Sequence, residues 1–438
     1  MELAINFSIV SGWFPAVVVT VAIVSTVLAV GWWDGAWKMQ LALGIPISLA
    51  LTGLVALAVH IFNLVPDAFP NTFYLWVWLM MFSLVVAVLG FTKAHWALRT
   101  FSVLAIVFCV IAAFTVVNET YGYWPTLDRL FGKTAANFVA LPELNAIRTQ
   151  VRDSGKLPDH GETIEIHIPN TKSKFDAADA YVWLPPIWFH TPEPSLPVIV
   201  LIAGVPGSSA DWTRAGFADT TSTNFAQGHG GMSPILVMPD ANGPSMDSEC
   251  ANSHYGAAET YLTVDVPTFM RNEFDAATGP HSFAVAGLSA GGTCAITLAL
   301  RNPSVFPVFG DYSGYDSPTF GNDDEQDTIT ALYGGSQANY EAHNPVHLLA
   351  VNEYPSISGW FEVGQQDQPS LSMAQQLSKL AITKAHLAQT CLYTPDGAHN
   401  FQFWEMAFQD SLPWLSWKVG LTPQPRPPPG VRCTPPLG

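Results

Sequence analysis

The sequence predicts two structural classes in one chain: an all-α membrane domain of four transmembrane helices, followed by an α/β domain with a mainly parallel sheet. Three observations carry this prediction. Residues 1–117 hold only six charged groups, Glu2, Asp34, Lys38, Asp67, Lys93 and Arg99, with long apolar runs between them. From about residue 160 to 420, short buried-strand patterns alternate with helical ones, as in a parallel sheet covered on both faces. Within that region, HSFAVAGLSAGGTCA, from His281 to Ala295, takes an apolar run into a glycine-flanked serine and out into a small-residue helix. The expected bounds are 1–117 for the spans, 118–159 for a juxtamembrane linker, 160–420 for the α/β domain and 421–438 for a proline-rich tail, extended or disordered.

In chain order, the expected spans are Phe14–Trp33, Leu41–Leu64, Phe73–Phe91 and Phe101–Val117. Each approaches the ~20 residues needed to cross a ~30 Å hydrocarbon core. The first lacks a basic start and a small-residue cleavage site, and three more follow it, so it does not read as a cleaved signal peptide. A buried bundle of a soluble protein would alternate polar with apolar faces, and these segments do not. Trp32, Trp33, Trp37 and Trp76 lie near span ends, where an interfacial aromatic belt is expected. Lys38 in the first loop and Lys93 with Arg99 in the third predict cytoplasmic loops, hence an extracytoplasmic C-terminal domain. Arg129 and Lys133, just after the fourth span, weigh the other way.

The α/β domain reads as strands around Pro197–Gly204, Ile235–Asp240, the run before Ser289, Ile357–Gly364 and the residues before Pro395. Gly287-Leu288-Ser289-Ala290-Gly291 fits G-x-S-x-G, a strand-to-helix turn that presents a strained serine above the sheet of an α/β-hydrolase. Glycine is required on both sides because side chains there would strike the neighbouring strand and helix.

A serine nucleophile needs a histidine to take its proton and an acid to orient that histidine, in the chain order Ser, Asp/Glu, His. Four histidines follow Ser289. His399 ends a Pro395-Asp396-Gly397 turn before a helical run from Phe401 to Leu415, where a base loop is expected. His343, His347 and His386 read as surface or capping residues. Asp367 follows the strand ending at Gly364 and is the expected acid, with the competing reading of an Asx turn or helix cap near Ser370. Glu362 is the alternative acid, although a mid-strand residue points into a sheet face. The oxyanion would be held by the backbone N–H of Ala290 and by that of Val205, since Pro206 has none.

These residues resemble the esterase D-like α/β-hydrolases, a family that includes the secreted mycolyltransferases of mycolic-acid bacteria. The resemblance covers roughly residues 160–420. It rests on the elbow, on Glu259-Thr260-Tyr261-Leu262-Thr263 ahead of the elbow strand, and on Trp404 five residues after His399. It implies a serine esterase or acyltransferase built on Ser289, an acid and His399, with the Val205 and Ala290 amides as oxyanion donors. In two respects the chain departs from the mycolyltransferases: their acid is glutamate, and they lack a multi-span N-terminal part.

Composition narrows the substrate. The formal charge of −17 falls wholly outside residues 1–117, where 32 acids face 15 bases. Such a domain does not seek nucleic acid or an anionic surface, and it suits neutral glycans, glycolipids and other uncharged acyl acceptors. Cys250, Cys294, Cys391 and Cys433 are an even set in an expected oxidising compartment. A Cys250–Cys294 disulfide would brace the elbow. No zinc-spaced Cys/His cluster, H-E-x-x-H or phosphate loop occurs, so no metal or cofactor is expected. The expected function is therefore a membrane-anchored serine esterase or acyltransferase acting on acyl esters. The competing class is a non-catalytic envelope protein that binds lipid or glycan on the same fold; peptidase activity ranks last.

Overall fold

The computed structural model describes residues 7–32, 37–61, 69–90, 96–131, 138–245, 247–321 and 324–437. It divides into two compact units, Met1–Lys133 and Thr134–Gly438.

The first unit consists of α1 (Trp13–Ala29), α2 (Trp37–Ile61), α3 (Asn71–Gly90) and α4 (Trp96–Tyr121). The last three are long and apolar enough to cross a membrane; α1, at 17 residues, is shorter. It stops before the predicted Trp33 because Gly31 turns left-handed at φ 65°, and the N–H groups of Val30 and Gly31 close onto Val27 and Leu28. Small side chains at Ala22, Cys109 and Ala112 let α1 and α4 approach closely. Hydroxyls inside the bundle are satisfied by their own helix, as where Thr26 donates to the Ala22 carbonyl at 2.8 Å and Ser83 to Leu79 at 2.8 Å.

Trp76 corrects the aromatic-belt expectation. It is 6% exposed and packs with Val18, Ala22, Cys109 and Ala112, because one full turn into α3 its ring faces the neighbouring helices. Trp32 and Trp37 pair at 5.4 Å near the ends of α1 and α2. Trp33, Lys93 and Lys133 lie outside the described residues.

The second unit is a nine-stranded sheet with helices around it. Its strands are β1 (Glu162–Ile166), β2 (Ala180–Leu184), β3 (Val198–Ile202), β4 (Ile235–Met238), β5 (Phe283–Leu288), β6 (Val308–Tyr312), β7 (Ser358–Glu362), β8 (Gln389–Tyr393) and β9 (Arg432–Thr434). The order across the sheet is β1-β2-β4-β3-β5-β6-β7-β8-β9. β4, β3 and β5 through β8 run parallel, whereas β1, β2 and β9 pair antiparallel at the two edges. β3 and β5 are buried along their whole length, which explains their unbroken apolar runs.

Both ends of this unit extend past the expected bounds. The segment read as a linker contributes α5 (Leu141–Ser154), whose Leu144 and Val151 join the main core. The tail read as extended or disordered is ordered at its end: β9 pairs with β8, and Cys433 is disulfide-bonded to Cys391 directly opposite it. Proline excludes the tail from a sheet interior but not from an edge, where only one side of the strand is bonded. Cys433→Ser is expected to free this edge and lower stability by about 2–4 kcal/mol. Thermal unfolding, with hydrogen exchange across residues 389–393, would measure both.

The Glu259 segment begins a helix that widens to a π-turn over Tyr261–Asp265 and continues as α-helix through Val266–Phe274. Glu259 accepts from Arg301 Nε at 2.7 Å, Arg301 Nη2 at 3.1 Å and Asn302 at 3.0 Å, with His343 Nε2 3.6 Å away. Burial pushes this carboxyl up, but the nearby His343 and the bonds from Arg301 and Asn302 outweigh it and bring the pKa down to about 2. A depressed folded-state pKa stabilises above the unfolded value and loses that stability as pH falls toward 2. Glu259→Gln is accordingly expected to cost about 3 kcal/mol at neutral pH by leaving Arg301 poorly paired. Its deficit should shrink between about pH 5 and 2, as followed by urea unfolding.

Candidate active site

At the end of β5 the chain reverses into α6 (Ala290–Arg301) through Ser289, whose φ of 53° and ψ of −127° are unusual for a residue with a side chain. The turn is held by Ser289 N–H donating to the Tyr312 carbonyl at 2.9 Å and by Gly292 N–H donating to the Ser289 carbonyl at 2.7 Å. A side chain at Gly287 would strike the Gly291 carbonyl, and one at Gly291 would strike the carbonyls of Ile202 and Ala203. The two glycines thus have the steric role that the motif requires.

His399 hangs from the loop after β8. Its Nε2 lies 2.9 Å from Ser289 Oγ and its Nδ1 2.9 Å from Asp367 Oδ2. Asp367 sits in the loop after β7, just before α7 (Ser370–Thr383). Its carboxylate is not spent on capping that helix; only its backbone carbonyl is, accepting from Leu371 N–H at 2.9 Å. Burial raises the Asp367 carboxyl, but the hydrogen bond and charge of His399 hold it below the usual carboxylate range. The loops bearing the two residues are stitched together. Gln365 and Gln366 N–H groups donate to the Pro395 and Gly397 carbonyls, each at 2.9 Å, and the Gln366 side chain accepts from Gly397 N–H. A side chain at Gly364 would strike the Gly397 carbonyl, so glycine permits this approach.

Glu362, the alternative acid, is elsewhere. Fully buried in β7, it accepts from Trp360 Nε1 at 2.8 Å, and burial, aided by nearby Asp410, keeps its carboxyl well above the ordinary range. His343 takes the capping role, its Nδ1 donating to the Asn339 carbonyl at 2.7 Å in the last turn of the short helix Gln337–Glu341, and it is buried at 8% exposure beside Glu259. The Arg301 and Glu259 side chains converge there from distant parts of the sequence.

Val205 and Ala290 line one small pocket with Ala203, Asn242, Glu249 and Gly291. Cys250 and Cys294 are disulfide-bonded, tying the loop that bears Glu249 to the first turns of α6.

Three neighbours had no assigned role from the sequence. Tyr315 lies parallel to His399 at 6.4 Å, and the Trp404 ring stands edge-on to it at 4.9 Å. Only the Trp404 spacing carried a signal, and that as part of a resemblance. Asp311 is buried beneath the elbow, accepting from Gly314 N–H at 2.8 Å, and burial pushes its pKa up to about 7. Gly292 and Gly314 leave room for that carboxyl, because a side chain on either would strike it.

Known proteins are similar to this chain in sequence and in fold. An uncharacterized protein of Corynebacterium glutamicum is 31% identical over 367 residues, covering 81% of this chain and 84% of its own length. That alignment is longer than the C-terminal unit, so the likeness reaches into the N-terminal helices. In fold, the C-terminal part is similar to a ferulic acid esterase (TM-score 0.50, 16% identity, 60% of this chain and 99% of that one). It is equally similar to an S-formylglutathione hydrolase from Agrobacterium tumefaciens (TM-score 0.50, 18% identity, 60% and 98%). Residues 176–415 match the model of the Esterase family, described as "putative esterase", and the chain belongs to this family of α/β-fold serine hydrolases.

Proposed function

We propose that the protein is a membrane-anchored serine esterase or acyltransferase that works through Ser289, His399 and Asp367. The observation that carries the reading is the unbroken hydrogen-bonded line from Ser289 Oγ through both imidazole nitrogens to Asp367. Ser289 Oγ attacks the ester carbonyl carbon while His399 Nε2 takes its proton, and the developing oxyanion is held by the Val205 and Ala290 N–H groups. Collapse expels the alcohol, which leaves with the proton returned by His399, and an acyl-serine remains. Water or a sugar hydroxyl then gives up a proton to His399, attacks the acyl carbon and releases Ser289. Throughout, Asp367 stays ionised, orients the imidazole and stabilises its charged form.

The apolar helices support attachment to a bilayer, and the two disulfides of the C-terminal unit support an oxidising, extracytoplasmic site. The cations at Lys38, Lys93 and Arg99 support the same orientation. The acidic exterior and the resemblance to mycolyltransferases favour an uncharged envelope glycolipid as substrate.

The test is to incubate the full chain in detergent with short p-nitrophenyl esters and with a trehalose glycolipid, in the presence and absence of labelled trehalose. Ester hydrolysis is expected, and label entering the glycolipid would mark acyl transfer. A fluorophosphonate probe that fails to label the wild-type protein would overturn the catalytic reading in favour of a binding protein.

A further inference from the structure

Two backbone hydrogen bonds place the end of β6 between the nucleophile and the acid. The Tyr312 carbonyl accepts from Ser289 N–H at 2.9 Å, and the next residue, Ser313, donates its own N–H to the Glu362 carbonyl at the end of β7 at 3.0 Å. A turn brings Asp367 back toward that strand end, its N–H donating to the Gly364 carbonyl at 3.1 Å. His399, bonded to Ser289 Oγ on one side and to Asp367 Oδ2 on the other, therefore spans the end of β6. Ser313 is the residue at the middle of that span, and its turn is pinned from beyond by Gly314 N–H donating to Asp311 Oδ1 at 2.8 Å.

Ser313 has two properties that a mere connector would not need. Its φ of 59° lies in the left-handed region, which glycine occupies without strain and serine does not. It is only 1% exposed, and its hydroxyl makes no hydrogen bond of good geometry among the described residues. A buried hydroxyl left without a partner is destabilising, so one that persists points to a bond that closes at another stage. Its polar neighbour is Asp367. Burial raises the Asp367 carboxyl and His399 lowers it most, and the Ser313 and Ser370 hydroxyls lie close enough to add to the lowering. Ser370 is a local contact from the same loop, whereas Ser313 comes to Asp367 from a separate strand. His399 takes Asp367 Oδ2, which leaves Oδ1 for a second donor.

We propose that Ser313 is a positioning residue for the catalytic acid: its hydroxyl donates to Asp367 Oδ1 as the imidazolium forms, and so keeps Oδ2 on His399 Nδ1. A carboxylate bonded through one oxygen alone is free to turn about its terminal torsion, which is broad. A donor on the second oxygen fixes its plane, so that the charge opposite the imidazolium needs no rearrangement during proton transfer. Hydrogen bonds of this kind are commonly loose in a resting site and tighten with the reacting complex. The inference rests on the reading of Ser289, His399 and Asp367 as the catalytic set.

The test compares Ser313→Gly and Ser313→Ala with wild type, as full chains in detergent, on a short p-nitrophenyl ester and with a fluorophosphonate probe. Glycine removes the hydroxyl and relieves the left-handed backbone; alanine removes the hydroxyl and keeps the strain. Both are expected to lower kcat and the rate constant of probe labelling by about tenfold, the scale of one hydrogen bond to a charged group, with KM within about twofold of wild type. Ser313→Gly should unfold no more readily than wild type, which separates its defect from one of folding. Because the hydroxyl acts through Asp367, adding Ser313→Gly to Asp367→Asn should slow hydrolysis by less than about twofold further. A wild-type rate in either single variant, a change in KM alone, or a full further loss in the Asp367→Asn background overturns the positioning role. Ser289→Ala tells the two failures apart. If it still hydrolyses the ester and takes up the probe, the catalytic set falls and the role of Ser313 with it; if it is inert while both Ser313 variants match wild type, the role of Ser313 alone falls.

Discussion

Ser289→Ala is expected to reduce kcat on a short ester by about 10⁶-fold and to abolish fluorophosphonate labelling, because removing the nucleophile of such a set costs nearly as much as removing the whole set. Folding should be retained. The φ of 53° at this position strains alanine about as much as serine, and the turn is held by backbone bonds to Tyr312 and Gly292 that the substitution leaves in place. Thermal unfolding within a few degrees of wild type, together with lost labelling, would separate a chemical defect from a structural one. Equal labelling of Ser289→Ala and wild type would mean that another residue reacts.

Asp367→Asn is expected to lower kcat by about 10⁴-fold, since an amide opposite Nδ1 favours the wrong tautomer of His399 and cannot stabilise the imidazolium. Glu362→Gln is the informative partner. Burial raises the Glu362 carboxyl and disfavours its charged form, so glutamine replaces it with nearly the same shape and still accepts the Trp360 bond. Activity after Glu362→Gln should stay within about twofold of wild type, because that side chain does not reach His399. The pH profile adds a check. Because His399 lowers the Asp367 carboxyl, wild-type activity should lose its acid partner only at a lower pH than a free aspartate would set. A reversal of the two mutational effects would reassign the acid to Glu362.

Several features could be read in advance because they depend on residues close in the chain. A serine forced to positive φ between a strand and a helix needs glycine at fixed offsets, so Gly287 and Gly291 advertise the turn. Spans are visible because a bilayer demands sustained hydropathy, and three of the four helices meet that length. The choice of Asp367 over Glu362 followed from strand alternation, which turns a mid-strand side chain into a layer and leaves a post-strand residue free at the sheet's end. His399 was singled out by its turn and by its place after the last long strand.

Other features arise only when distant segments close on one another. Trp76 has the composition of a belt residue but packs in the bundle, because α3 is rotated to face α1 and α4. The tail becomes an edge strand because Cys433 lies opposite Cys391 across the sheet, a pairing that proline content conceals. His343 lies beside Glu259 and Arg301, themselves 42 residues apart, only because the fold closes their segments on one another. The 2.9 Å spacings at His399 depend on Gln365 and Gln366 fastening the acid loop to the base loop. Local sterics and hydropathy thus determined from sequence which residues were available for chemistry and which helices suited a bilayer. Tertiary structure decided their distances, because those distances are set by contacts between segments whose pairing no short pattern encodes.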